Sequence, residues 1–170
     1  MKKLFSLVAV SLLASVAPAA EAEAALGPDA ASCRSGAGDP AVLVDVQGLK
    51  ARSGRVRVQV YGDNPADFLA KGKKLKRIDL PVTQSGPMRV CVALPKPGNY
   101  AIAVRHDVNG NGKSGDWSDG GGFSRNPSIS LFKLKPDYRD VVVSVGSNVK
   151  PVNVILNYRQ GLSVGPVSRG

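Results

Sequence analysis

Residues 55–60 read Arg55-Val56-Arg57-Val58-Gln59-Val60, a valine after every charged or polar residue. Successive side chains of an extended chain point to opposite faces. This spacing therefore sets three valines on a dry face and Arg55, Arg57 and Gln59 on a wet one. A strand with one solvated face is the mark of an antiparallel sheet. Val42, Val44 and Val46 repeat the alternation against Leu43, Asp45 and Gln47.

Working outward, further strands are expected near residues 75–82, 88–94, 99–106, 140–145 and 152–158. Turns fall at Ser53-Gly54, Ser85-Gly86-Pro87 and Pro97-Gly98-Asn99. Asn64 can cap one short helix with Pro65 at its first position, running through Asp67-Phe68-Leu69-Ala70 and ending by Gly72. No crossover helices exist for parallel α/β architecture. The expected fold is all-β, an antiparallel β-sandwich of about seven strands with one short helix.

The organisation follows from composition. Residues 1–24 read as a signal peptide: Lys2 and Lys3, an apolar stretch from 4 to 16, then Ala-x-Ala sites with cleavage after Ala22 or Ala24. The apolar stretch is shorter than the ~20 residues of a membrane-spanning helix. Residues 25–40 form an irregular lead-in, 41–158 the β-sandwich domain and 159–170 a frayed tail. Cleavage leaves roughly 146–148 residues, enough for one domain with a real core. The mature protein is expected to be periplasmic or secreted.

The chain has two cysteines. A lipid anchor on Cys33 is disfavoured, because Glu21, Glu23 and Asp29 separate it from the apolar stretch. In an exported chain, Cys33 and Cys91 are expected to form one disulfide. Cys91 points away from Val90, Val92 and Leu94, so the bond would pin the N-terminal tail outside the sheet. A closed loop of that length stabilises by about 4 kcal/mol in the chain-entropy model.

The formal net charge is +10. Basic residues concentrate in 71–77 and at Arg52, Arg55 and Arg57. They would make weak contact with polyanions or a membrane surface if they cluster in space, and otherwise simply solvate strands and a loop. The leader excludes intracellular nucleic acid as a partner.

The stretch richest in potential ligands is His106-Asp107-Val108-Asn109-Gly110-Asn111-Gly112-Lys113-Ser114-Gly115-Asp116. Asp107, Asn109 and Asn111 fill positions 1, 3 and 5 of a calcium loop and Gly112 the sharp-turn position 6. Lys113 would offer its carbonyl. Position 12 is Ser118 instead of glutamate, so Asp116 or Asp119 would have to supply the missing carboxylate. The metal-free alternative is a set of Asx-turns that rigidify the loop. His106 is the only histidine. It ends the core-facing row of Tyr100, Ile102 and Val104, and reads as a structural residue, not a catalytic one.

Three segments carry a resemblance to an uncharacterised family of exported bacterial proteins, the domain-of-unknown-function family 2141. They are 44–61, with Gly48-Leu49 and Gly54 between the alternating valines; 97–112, Pro97-Gly98-Asn99-Tyr100 through Asn111-Gly112; and Gly122-Phe123-Ser124-Arg125-Asn126. The resemblance spans about residues 42–158. It implies a prealbumin-like or immunoglobulin-like sandwich and export to the periplasm, and no activity. The chain departs from the family in a shorter loop between Gly112 and Gly122, and in Asp119 where glutamate is usual.

Two function classes follow. One is a non-enzymatic binding or interaction module with a calcium-stabilised hairpin and a basic face. The other is a periplasmic hydrolase using Asp107, Asp116 and Asp119. A deep pocket joining His106 to two of these aspartates would favour the hydrolase.

Overall fold

The computed structural model describes residues 24–113 and 115–167. All but the last residue of the expected leader lie outside them. In chain order the strands are β1 Ala41–Gln47, β2 Arg55–Tyr61, β3 Lys76–Pro81, β4 Met88–Ala93, β5 Gly98–Asp107, β6 Gly120–Phe123, β7 Val142–Val145, β8 Val149–Ile155, β9 Asn157–Gln160 and β10 Ser163–Gly165. Among the described residues the one α-helix, α1, is Tyr138–Val141.

The strands form two sheets. The smaller has the order β4-β1-β8 and the larger β10-β9-β6-β5-β2-β3, with β7 also paired to β5. The alternating valines are the reason the sheets stack. Val42, Val44 and Val46 of β1 and Val90 and Val92 of β4 bury against Val56, Val58 and Val60 of β2 and Ile102 and Val104 of β5. Each such side chain taken from water contributes roughly 1.5–3 kcal/mol, which favours this register over one shifted by a residue.

Most pairings are antiparallel, but β1 and β8 run parallel, with Val44 opposite Val152. The chain leaves β7 in the larger sheet and crosses at residues 146–148 into the smaller, so no hairpin sets the direction of β8. It then returns, because β8 and β9 are nearly continuous and change sheets at the buried Leu156.

Four local expectations are revised. The helix after Asn64 is a 3-10 turn over Pro65–Asp67 with the Asn64 side chain accepting from the Ala66 amide. It goes no further because Phe68 is already extended (ψ 121°) and Leu69 follows with a left-handed φ of 58°, closing a turn in which Ala70 N–H donates to the Asp67 carbonyl. The strand expected at 140–145 begins at Val142, after α1. The β6 strand was not anticipated. Residues 157–165, partly expected as frayed, form the β9–β10 hairpin.

The disulfide joins Cys33 to Cys91, with Cα atoms 5.9 Å apart. Leu26 docks beside β4, its N–H donating to the Arg89 carbonyl (2.7 Å) and its carbonyl accepting from Cys91 N–H (3.0 Å). The N-terminal segment thereby covers the open edge of the smaller sheet.

Candidate functional site

β5 is covered on both faces. Its core side carries Tyr100, Ile102, Val104 and His106; its outer side carries Ala101, Ala103, Arg105 and Asp107. A second, smaller core packs on that outer side, where Ala101 and Tyr61 meet Val141, Phe68 and Tyr138. Three edge-to-face contacts seat the Phe68 ring between Tyr61, Phe123 and Tyr138.

Beyond this second core the outer face opens into a cleft of about 450 Å³. Ala103 and Gly121 lie at its floor. Leu69 and the segment around Leu131 and Leu134 form apolar walls, and Trp117, Arg159 and Asn157 stand at the other side. The Gly120-Gly121-Gly122 triplet explains the shape. A Cβ on Gly120 would lie 2.3 Å from the Tyr158 ring, and one on Gly122 would lie 2.4 Å from the Ile155 carbonyl oxygen. Both glycines let β6 press onto the core. A Cβ on Gly121 would meet nothing closer than the Val104 carbonyl oxygen at 3.8 Å, because it faces the cleft.

A row of charges runs across the outer face beside the cleft. Arg57 and Arg105 are directly cross-strand, an arrangement that is repulsive by itself. Asp79 accepts from Arg57 Nε at 2.7 Å and also pairs with Arg77. Arg105 Nη2 lies 3.0 Å from Asp119 Oδ2 and 3.6 Å from Asp107 Oδ2. Burial by itself would raise the Asp79 pKa. The hydrogen bonds from Arg77 and Arg57 outweigh it and hold the carboxyl below its usual range.

The Asp/Asn/Gly loop forms one wall of the cleft, to which Asp116 and Asp119 contribute. Asp107 is buried beneath it, and its Oδ2 accepts from Gly112 N–H at 2.8 Å. Asn109 Oδ1 accepts from Asn111 N–H (3.1 Å), and Asn111 Oδ1 from Lys113 N–H (2.8 Å); these are Asx-turns. The two asparagine amides donate to Asp116 Oδ2 and lower its pKa. Asp107 Oδ1 is buried without a hydrogen-bond partner, as is Arg105 Nε. Among the described residues, no three His, Cys, Asp or Glu side chains are grouped as metal ligands. A cation at Asp107 Oδ1 would compete with the Arg105 guanidinium and would need both asparagine amides to turn over.

His106 is on the core side of β5, away from the cleft. Its Nε2 lies 2.9 Å from the Ser53 carbonyl oxygen, which can only accept, so Nε2 carries the proton. Nδ1 of the neutral ring then accepts from the Tyr158 hydroxyl at 2.6 Å, and that hydroxyl accepts from Lys50 N–H at 3.1 Å. Burial drives the His106 pKa down and the Tyr158 pKa up to about 12, so both stay neutral. The pair ties the β1–β2 connection to β5 and β9.

The basic residues of 71–77 are largely engaged. Arg77 pairs with Asp79, Lys73 with Asp67 and Lys76 with Asp29. Arg52 is held by Thr83 and the Gly86 carbonyl.

Sequence reasoning thus found one wall of the cleft and missed its floor, its opposite wall and Trp117. The available signal was Leu131-Phe132-Lys133-Leu134-Lys135, an apolar run outside any strand period.

The family model described as "Uncharacterized protein conserved in bacteria (DUF2141)" matches residues 44–153. No curated protein and no solved structure matches the chain.

Proposed function

The chain belongs to the bacterial DUF2141 family, and from that premise we propose that it is an exported, periplasmic binding module that takes a small amphipathic ligand into the cleft above β5. The cleft carries this reading. Its volume of about 450 Å³ falls among small-molecule sites, which span ~300–1,000 Å³. Leu69, Leu131 and Leu134 suit an apolar body, while the Arg159 guanidinium offers donors to an anionic or carbonyl-bearing end. The leader-like N-terminus and the disulfide support export to an oxidising compartment.

The hydrolase alternative gains nothing from the geometry. Arg105 holds Asp107 and Asp119 together, and His106 faces the core. A calcium role for the loop is a second reading, favoured by the unpartnered Asp107 Oδ1. The other engaged oxygens make that affinity weak, on the order of 10⁻⁴ to 10⁻³ M.

The cleft is tested with 8-anilinonaphthalene-1-sulfonate, an aromatic anion. The wild type is expected to bind it at one site with enhanced fluorescence. Gly121→Trp should fill the cleft and abolish binding while the fold persists, because its Cβ direction is open. Equal binding by both proteins would sink the reading.

A further inference from the structure

We propose that the tips around the mouth of the cleft dock on the surface of an anionic phospholipid bilayer. Phe132 is 101% exposed, Leu162 93%, Trp117 69% and Leu134 53%. They come from three separate segments. Trp117 and Leu134 line the cleft itself. Phe132 sits in a tight turn closed by reciprocal hydrogen bonds between Ser130 and Lys133 (3.2 and 3.1 Å), next to Leu131, another lining residue. Leu162 is at the tip of the β9–β10 hairpin, whose Arg159 and Val164 also line the cleft. The turn holds Phe132 outward, where its ring meets only water. Exposed apolar side chains gathered at one place mark an interaction surface.

Charge identifies the occupant. Lys133 and Lys135 interleave with Phe132 and Leu134. The Arg159 guanidinium lies 3.2 Å from the centroid of the Trp117 ring. Among the described residues, Lys135 and Arg159 have no acidic partner, and the Lys133 pair with Asp137 is exposed. Exposed apolar side chains beside Lys133, Lys135 and Arg159, with the Asp116 carboxylate at the cleft taken up by the Asn109 and Asn111 amides, match the layering of a bilayer, with acyl chains below anionic headgroups. Tryptophan, with an apolar body and a polar N–H, suits the boundary between them.

Two other occupants fit less well. A polysaccharide or other polyanion would leave Phe132 and Leu162 in water. A second copy of this chain would have to fill the gaps between tips around an open cleft, whereas a fluid bilayer conforms to them. This surface is also distinct from the basic stretch at 71–77, where Asp79, Asp67 and Asp29 already pair with cations.

Trp117 is the only tryptophan of the chain, so its emission reports this face alone. The protein from Ala25 onward, the chain left by cleavage after Ala24, holds both sheets and the disulfide, and is mixed with vesicles of phosphatidylglycerol and phosphatidylethanolamine. The expected result is a blue shift of the Trp117 emission, quenching by lipids brominated in their acyl chains, and weakening at high salt. Phosphatidylcholine vesicles should bind about tenfold more weakly. Phe132→Ser with Leu162→Ser should weaken binding to anionic vesicles by tenfold or more, on the order of one buried side chain lost. Both residues are almost wholly exposed and outside the cleft lining, so the fold survives. Lys133→Glu with Lys135→Glu should act in the same direction. Gly121→Trp adds a second tryptophan, so its binding is read by co-sedimentation with the vesicles; it should be unchanged, which separates this inference from the cleft's own ligand. No emission shift with anionic vesicles overturns the proposal, as does a shift that survives the Phe132/Leu162 double substitution. A concentration-dependent dimer that the same substitution abolishes assigns the patch to a second copy and also overturns it.

Discussion

At the scale of single residues, the buried His106–Tyr158 pair makes stability depend on pH in a window of its own. Burial lowers the folded-state pKa of His106, whereas the unfolded chain titrates near ~6.5. As pH falls through that value, the unfolded chain binds a proton that the folded chain refuses. Stability is therefore complete above about pH 7 and declines below it, by up to ~1.4 kcal/mol per pH unit. Thermal melts from pH 7.5 to 5.5 should show this decline, and His106→Gln should remove the slope even if it lowers the midpoint. The contribution of Asp79 has the opposite chemistry and a different window. Its lowered pKa makes the stability it supplies present at neutral pH and lost only in acid, below about pH 4. Tyr158→Phe removes the donor to His106 Nδ1 and the acceptor for Lys50 N–H. It should cost about 1–3 kcal/mol in chemical denaturation at neutral pH. A cost near zero would mean that the pair is not formed. The core-side position of His106 was readable from the Tyr100-Ile102-Val104 row. Its partners Ser53 and Tyr158 were not, because each is more than fifty residues away in sequence.

At the scale of elements, the loop between β5 and β6 decides the calcium reading. If the ion binds, millimolar calcium should raise the melting midpoint, since a ligand of the folded state alone stabilises it by mass action. Asp107→Ala should abolish that rise. It should also lower the midpoint without calcium, because Gly112 N–H loses its acceptor. Identical wild-type midpoints in calcium and in chelator, with no binding heat, would leave a loop held by Asx-turns and Arg105 alone. The strands with a clear period of two were legible: β1, β2, β4 and most of β5 lie where alternation puts them. β6 was illegible for a definite reason. Glycines at 120–122 carry no side chains from which to read a period, and what makes them a strand is the room that Tyr158 and Ile155 demand. The 3-10 turn at Pro65–Asp67 shows the reverse case, where good capping chemistry was read correctly and the extended Phe68 and left-handed Leu69 cut the helix short.

At the scale of the whole molecule, the Cys33–Cys91 bond ties the lead-in to β4 across 58 residues. Alkylation of the unreduced protein should label no thiol. Replacing both cysteines with serine should cost about 4 kcal/mol, the chain-entropy value for a loop of this size. Two labelled cysteines in unreduced protein would contradict the bond. The pairing followed from there being only two cysteines, and the sandwich from valines spaced two apart. Both are local or compositional facts, written in the chain with no need of a partner's position. The cleft is of another kind. Its floor comes from β5 and β6, its walls from Leu69, the loop at 115–119 and the segment at 129–134, and its rim from the β9–β10 hairpin. No short stretch of sequence contains it. A strand period tells which face is dry but not which distant loops fold over the wet one. The amino-acid sequence by itself determined the β class, the core-facing valines of the regular strands and the disulfide. Only the tertiary structure decided that the outer face of β5 is roofed at one end and open at the other, because that depends on contacts between segments far apart in the chain.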